Sequence, residues 1–306
     1  FGTGGKAQID LGAGSDVAQS IAMRPDGRVV LGGWRGAQGV FAQLQAGGAI
    51  DPSFGAGRGW TAVESNRSLV YDIGIQPDGR VVGVGAIDTN ALVARVRADG
   101  ALDPDFGGGD GLSNLAYGGT DSLYGLALQA DGAIIGAGSS YAPPNNDGGI
   151  VRARNPQGDL DTGFAEGFGV LFPDVGVRQS NANDVALQPD GRIVITGTRG
   201  TGDGRDLLVA RATSAGVEDP SFGGGDGWSS IDIGAKESAE AVAIQADGKI
   251  VVAGEVERPG NDDTLVARFL TDGAPDPSFG TGGVVTFDFA RYDVANAVAL
   301  QADGKI

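Results

Sequence analysis

The sequence predicts an all-β fold, because one hairpin motif recurs along its 306 residues and no stretch shows helical spacing of apolar residues. Residues 241–254, AVAIQADGKIVVAG, show the motif clearly. Small and apolar residues alternate before Asp247-Gly248 and a β-branched run follows it, as is typical of short strands. Asp-Gly favours a tight turn, since glycine accepts the positive φ that the turn requires. Each copy is therefore a predicted β-hairpin.

The hairpins recur at a nearly constant spacing. Successive Asp-Gly turns lie 52 to 59 residues apart, at Asp26, Asp78, Asp131, Asp190, Asp247 and Asp303. A period of this size is typical of repeat architectures, in which one repeat cannot bury its own apolar faces. We therefore expect a single domain over residues 1–306. Because the first and last copies are interrupted, we also expect the chain to be a piece of a longer protein.

Each repeat has four strand-like segments, here named A to D. Segment A follows a Phe-Gly turn, segment B leads into Asp-Gly, segment C leaves it, and segment D contains Val-Ala-Arg. Asp-Pro-Ser-Phe-Gly then closes the repeat, and its phenylalanine is a predicted anchor between repeats. Four short strands per repeat predict a β-propeller of four-stranded antiparallel blades. Six copies of A–B and five of C–D predict about six blade positions, the last one incomplete.

The motifs Gln-Pro/Ala-Asp-Gly-Lys/Arg, Val-Ala-Arg and Asp-Pro-Ser-Phe-Gly resemble the delta-60 repeat family of tandem bacterial repeats. The resemblance covers essentially the whole chain, although Ala153 stands where Arg95, Arg211 and Arg268 stand in other repeats. It implies propeller-like β structure in an exported or surface-associated bacterial protein. It brings no established catalytic residues, so it favours a non-catalytic binding or scaffolding module.

Composition excludes several classes of function. The chain has 22 basic and 39 acidic residues, a net charge of -17, which argues against nucleic-acid partners. It has no apolar run of the roughly 20 residues that a membrane helix needs, so we expect no membrane insertion. The absence of histidine and cysteine excludes Ser-His-Asp and Cys-His catalysis and ordinary zinc sites.

A purely structural spacer in a long surface protein is one alternative, and two others concern chemistry. A carbohydrate hydrolase or lyase could use carboxylates or Tyr141 in a central pocket, although most acids belong to recurring turns. Ca²⁺ could bind at Asn146-Asp147 or at residues 261–263, but solvated polar loops are the favoured interpretation. We therefore expect no cofactor and assign no catalytic or metal-binding residue. The arginines that recur near the turns are expected to form exposed ion pairs worth roughly 0–1 kcal/mol each.

The length of the repeat varies mainly between segments C and D. In an up-and-down blade the C–D and A–B connections share one face, and insertions on one face commonly mark the binding face. We predict that a protein or glycan contacts this face, with Trp34 and Tyr141 as its main anchors. The full set of candidate partner-binding residues is Trp34, Arg35, Tyr141, Asn146, Asp147, Arg199, Asp203, Arg205, Glu257 and Asp262.

Overall fold

The computed structural model describes residues 1–12, 14–63, 67–142, 145–153, 158–177, 179–200 and 202–306. Within these residues the chain is all-β, with short 3₁₀ turns at Gly107–Gly109, Ala165–Gly167, Gly202–Gly204 and Gly223–Gly225. Its strands are β1 (Asp16–Met23), β2 (Val29–Arg35), β3 (Gln38–Leu44), β4 (Trp60–Ala62), β5 (Ser68–Ile75), β6 (Val81–Ile87), β7 (Asn90–Val96), β8 (Leu112–Leu115), β9 (Thr120–Leu128), β10 (Ile134–Ala142), β11 (Asn145–Ala153), β12 (Val170–Leu171), β13 (Ser180–Leu187), β14 (Ile193–Arg199), β15 (Asp206–Ala212), β16 (Trp228–Ile231), β17 (Lys236–Ile244), β18 (Ile250–Arg258), β19 (Asn261–Phe269) and β20 (Val284–Phe287).

The strands form four-stranded antiparallel sheets, each taken from two successive repeats. In the described residues there are five such sheets, with the strand orders β1-β2-β3-β4, β5-β6-β7-β8, β9-β10-β11-β12, β13-β14-β15-β16 and β17-β18-β19-β20. Each sheet joins segments B, C and D of one repeat to segment A of the next. The reason is the D–A connection, residues 45–59 in the first sheet, whose backbone hydrogen bonds fold it back so that segment A lies beside D, whereas the A–B connection leads into the next sheet. The last copy of segment B forms no strand, and a sixth blade position stays a prediction.

The chain divides into two compact units. The first is Phe1–Gly136 with Ala153–Leu160, and the second is Ala137–Arg152 with Asp161–Ile306. The core of the first unit is made of Val30, Phe41, Phe54, Val70, Val81, Leu92 and their neighbours. The core of the second is made of Val194, Val209, Phe222, Val252, Leu265, Phe269 and their neighbours. Alternating strand residues supply both cores, as period-2 patterning requires.

The phenylalanine of the Asp-Pro-Ser-Phe motif packs against the following sheet, as predicted. Phe222 is fully buried, and its ring atoms would lie 2.8 Å from a Cβ placed on Gly273, in the next D–A turn. Gly273 has a φ of +89°, so this turn favours glycine for its conformation as well as for its space. Phe54, Phe106 and Phe164 are equally buried and face glycines at equivalent positions. The prediction of an anchor between repeats is confirmed within each unit.

The arginine of Val-Ala-Arg forms a buried ion pair, which corrects the expectation of weak exposed pairs. Arg95 is 2% exposed and Asp103 is 0% exposed, and Arg95 Nε lies 2.7 Å from Asp103 Oδ2. The guanidinium also lies 4.6 Å above the ring of Phe106. The same ion pair and ring contact recur at Arg211, Asp219 and Phe222, which are buried, and at Arg268, Asp276 and Phe279, where the arginine side chain is 18% exposed. The D–A turn buries these groups because it folds back across the end of segment D.

Every sheet has two distinct ends. We name the end with the Asp-Gly and D–A turns the turn end, and the end with the C–D hairpins and A–B connections the hairpin end. The extra length of the third and fifth repeats is not loop, as the sequence suggested, but longer strands. In the fifth sheet, Glu257 pairs with Asp262 and Arg258 with Asn261, which extends the ladder. No helix in the described part of the chain is long and apolar enough to span a membrane.

Candidate functional site

The predicted residues of the first unit make contacts within the protein. Trp34 is half-buried and meets the ring of Tyr71 edge-on, with 6.2 Å between ring centroids. Tyr71 in turn lies 5.3 Å from Tyr124, so three aromatic rings form a row along the first unit. The Arg35 guanidinium lies 5.1 Å from the centroid of Trp60. Part of the area that Trp34 and Arg35 could offer a partner is therefore already covered.

The third sheet carries the other predicted aromatic residue. Tyr141 lies near the end of β10 and is 52% exposed, so its ring is accessible. The side chains of Asn146, Asp147 and Asp203 lie outside the described residues. Their places as binding residues stay predictions.

The second unit brings several predicted residues together. Arg205 Nη2 lies 3.2 Å from Glu257 Oε2 and 3.7 Å from Glu255 Oε1. Lys236 Nζ lies 3.2 Å from Glu257 Oε1, so Glu257 joins two cations. Arg199 donates to the Val175 carbonyl at 2.7 Å, pairs with Asp206 at 3.2 Å and stacks on Trp228. The hairpin end of this unit is a network of opposite charges.

Beside this network lies a cleft of about 560 Å³. Its walls come from the β18–β19 hairpin, the connection before β17 and the segment after β20. Its lining residues include apolar, charged and aromatic side chains: Ile233, Gly234, Ala235, Lys236, Glu257, Arg258, Pro259, Gly260, Asp262 and Tyr292. Glu257 and Asp262 were predicted from the sequence, whereas Lys236, Arg258 and Tyr292 were not.

Backbone hydrogen bonds hold the third wall of the cleft in place. The amide of Asp262 donates to the carbonyl of Arg291 at 2.7 Å, and the amide of Asp293 donates to the carbonyl of Asp262 at 2.8 Å. The side chain of Asn261 accepts from the Arg291 amide at 2.8 Å. Between these bonds Tyr292 remains 74% exposed at the rim of the cleft. A fixed backbone with an exposed ring is well suited to contact a ligand.

Two glutamates near this network have raised pKa values. Burial raises the pKa of Glu255, and the neighbouring charge of Glu240 raises it further. Burial also raises the pKa of Glu237, against the hydrogen bonds that it accepts from Ile233 and Ala235. Perturbed carboxyl groups near a cleft are candidates for a functional site.

A group of three carboxylates lies at the same end of the second unit. Asp206, Asp232 and Glu237 each offer an oxygen, and these oxygens lie within 4.8 Å of one another. Such a group could hold a metal ion. No prediction from the sequence included this group. A recurring acidic residue could have indicated Glu237. An acid stands ten residues before the aspartate of the Asp-Gly turn in four copies, at Asp16, Asp121, Glu237 and Asp293.

Comparison with known proteins identifies the repeats. A family model described as "Domain of unknown function (DUF5122) beta-propeller" matches residues 24–54, 76–106, 129–164, 188–222 and 245–279, more than half of the chain. The chain belongs to this family. Each match to DUF5122 begins shortly before an Asp-Gly turn and ends at the phenylalanine of the D–A turn. The family repeat therefore contains the Asp-Gly turn, segment C, segment D and the D–A turn as far as its phenylalanine. No match was found among curated proteins.

Several solved structures are similar to this DUF5122 chain at low identity. Drosophila Semaphorin 1b, extracellular domains 1–2, is 11% identical with a TM-score of 0.45 over 84% of this chain and 54% of that chain. Sqt1 from Chaetomium thermophilum is 14% identical with a TM-score of 0.47 over 91% and 62%. A GH43 endo-arabinanase from Bacillus licheniformis is 12% identical with a TM-score of 0.43 over 93% and 94%. The chain thus spans about half the length of the semaphorin.

Proposed function

We propose that this chain is a non-catalytic binding or scaffolding module of an exported or surface-associated bacterial protein. Its partner is a protein or a glycan, bound at the hairpin end. The observation that carries the proposal is the cleft of about 560 Å³ in the second unit. Its volume lies in the range of small-ligand sites, and its lining combines apolar residues with charged groups of both signs.

The chemistry of the cleft favours a polar, neutral or mixed-charge ligand. Lys236 and Arg258 offer N–H donors, and Glu257 and Asp262 offer acceptors. Tyr292 adds an exposed ring that can stack on a sugar face or pack against a side chain of a partner. The two signs of charge lie side by side, which disfavours a strongly charged polyanion. Both glycans and protein loops fit this description.

A binding screen with matched variants tests the proposal. The chain is assayed against bacterial surface glycans and envelope proteins, and each hit is repeated with Tyr292→Ala and with Phe168→Ala. Phe168 is a suitable control because it is 76% exposed, lies in the same unit and stands at the turn end. We expect Tyr292→Ala to weaken binding and Phe168→Ala to leave it unchanged. No hit in the panel, or a hit weakened only by Phe168→Ala, would contradict the proposal.

The predicted anchors Trp34 and Tyr141 belong to the same proposal. The exposure of Tyr141 supports its role as an anchor, whereas part of Trp34 already packs on Tyr71. Trp34→Ala and Tyr141→Ala are therefore included in the screen. If either variant weakens a hit and Tyr292→Ala does not, the contact surface lies at another sheet and the cleft is not the site.

A carbohydrate hydrolase or lyase is the alternative function. The observation that favours it is the half-buried Glu255, whose pKa is raised by burial and by the neighbouring charge of Glu240. A raised pKa is typical of the general acid in glycoside hydrolysis. Release of reducing ends from the glycans of the same panel, abolished by Glu255→Gln, would support the enzyme. Binding without turnover supports the module.

We further propose that residues 1–306 form one propeller with about six blade positions, the last incomplete, of the delta-60 type. The sixth Asp-Gly turn supports this, because its Gln301 amide donates to Lys305 at 2.8 Å as Gln245 does to Lys249 in the fifth repeat. A structure of a longer chain is the test. Pairing of residues 294–301 with a strand C is the expected result, and a straight stack of sheets would contradict it.

A further inference from the structure

We propose that Asp206, Asp232 and Glu237 bind a divalent cation, and that this cation is Ca²⁺. This inference is independent of the proposed partner binding. The three side chains come from different elements: Asp206 begins β15, Asp232 follows β16 and Glu237 stands at the start of β17. Their oxygens nevertheless lie within 4.8 Å of one another. Three carboxylates at this distance repel each other unless a positive charge lies between them.

A second, independent observation points to a ligand. Glu237 is 0% exposed, and its Oε1 accepts the amides of Ile233 at 3.3 Å and Ala235 at 3.2 Å. Its Oε2 has no hydrogen-bond partner within the described residues. An ionised carboxylate oxygen that is buried without a partner is costly in free energy. A cation coordinated by this oxygen and by the two aspartates removes that cost.

The charges around the cluster fit a divalent ion. Arg199 Nη1 lies 3.2 Å from Asp206 Oδ2 and neutralises one of the three carboxylates. Arg205 and Lys236, each next in sequence to a member of the cluster, pair with Glu257, and Arg205 Nη2 also lies 3.7 Å from Glu255 Oε1. When all three carboxylates are ionised, their charge exceeds that of Arg199 by two. One divalent cation balances this excess.

The donor set favours Ca²⁺ among divalent ions. All three side chains offer hard oxygen ligands, and the chain has neither histidine nor cysteine to attract zinc or copper. Ca²⁺ takes six to eight oxygens in flexible geometry, whereas Mg²⁺ demands near-ideal octahedral geometry. Asp232 is exposed, so water molecules can complete the coordination shell from the solvent side.

The sequence repeats this set of acids once more. Asp263, Asp288 and Asp293 stand at the positions equivalent to Asp206, Asp232 and Glu237 in the following repeat. The amide of Ala290 donates to Asp288 as the amide of Gly234 does to Asp232, at 2.8 and 2.7 Å. Within the described residues, however, the structure gathers only the earlier three into a metal-sized group. Asp288 is therefore a matched control for Asp232.

The test is a calcium titration of the metal-stripped chain at about 0.15 M ionic strength, which suppresses non-specific binding to an acidic protein. Isothermal calorimetry should show one Ca²⁺ site with a Kd of roughly 10–1,000 µM, the range of weak sensors and extracellular modules. Glu237→Gln and Asp232→Asn should each weaken binding at least about tenfold. Asp288→Asn should leave the affinity unchanged.

A second measurement locates the ion. Trp228 stacks on Arg199, which pairs with Asp206, so tryptophan-excited Tb³⁺ luminescence should report on this site. We expect the signal to fall in Trp228→Phe and in Glu237→Gln, and Ca²⁺ to displace Tb³⁺. Absence of saturable binding at millimolar Ca²⁺ would overturn the proposal. Binding that Glu237→Gln and Asp232→Asn leave unchanged would also overturn it.

Discussion

Asp219→Asn should destabilise the protein strongly although it changes few atoms. Asp219 Oδ2 accepts from Arg211 Nε and Arg192 Nε, both at 2.8 Å, and Oδ1 accepts from Ser221. An asparagine can keep the bonds from Ser221 but would turn its amide donors toward the two guanidinium groups. Arg211, only 7% exposed, would then lose the partner of its charge.

The lowered pKa of Asp219 gives the magnitude of this destabilisation. Burial raises this pKa, but the hydrogen bonds from Ser221 and the charges of Arg211 and Arg192 outweigh burial and lower it from 3.8 to about 2. At about 1.4 kcal/mol per unit, the ionised carboxylate contributes roughly 2 kcal/mol to the free energy of unfolding near neutral pH. Removing one partner of a buried pair typically costs 3–5 kcal/mol. We expect a loss of about 3 kcal/mol and a Tm lower by roughly 5 °C, because a chain of 306 residues has an unfolding entropy of about 0.6 kcal/mol/K.

Urea unfolding followed by far-UV circular dichroism measures this loss, with Asp190→Asn as the control. Asp190 pairs with Arg192 but its side chain is 50% exposed, so its loss should be within about 1 kcal/mol. Because the folded-state pKa of Asp219 is lowered, its contribution is present above about pH 4 and disappears as pH falls toward 2. The free energies of unfolding of the two variants should therefore approach that of the wild type in acid. Equal losses at pH 7, or a gap that does not shrink in acid, would refute this reasoning.

Two further predictions concern packing. Phe222→Ala should lower the free energy of unfolding by about 3–5 kcal/mol because Phe222 is fully buried, whereas exposed Phe168→Ala should change it by less than about 0.5 kcal/mol. Gly254→Ala should cost about 2 kcal/mol or more, since its Cβ would overlap the Ser238 carbonyl, whereas Gly47→Ala should cost little because nothing lies within 4 Å. Both pairs are measured by the same urea unfolding, and equal effects within a pair would contradict the packing described.

The local part of the fold could be predicted from the sequence. Alternation and the Asp-Gly turns specify hairpins through contacts between neighbouring residues, so segments B and C were found at their correct places. The sharing of each sheet between two repeats could not be predicted in this way. This sharing depends on whether segment A pairs with the preceding segment D or with the following segment B. Both segments are neighbours of segment A in the sequence. The hydrogen bonds of the D–A turn decide between them.

The burial of Arg95 is a second feature that could not be predicted from the sequence. The sequence displays an arginine eight residues before the aspartate of the Phe motif, and this constant spacing was compatible with an exposed or a buried pair. Only the return of the D–A turn across segment D shows that the pair is buried. The cleft was equally hidden, because it requires Tyr292 to dock beside the extended β18–β19 hairpin. Glu237 could have been found, since acids recur ten residues before several Asp-Gly turns.

Hydrogen exchange with a bound ligand tests most directly the claim that this chain binds its partner at the hairpin end. A hit from the glycan and envelope-protein panel is added at saturation, and amide exchange is compared with that of the free chain. We predict slower exchange in residues 233–236, 257–262 and 291–293, which line or hold the cleft. Protection confined to the Asp-Gly turns, such as residues 245–249, would place the partner at the turn end and contradict the claim.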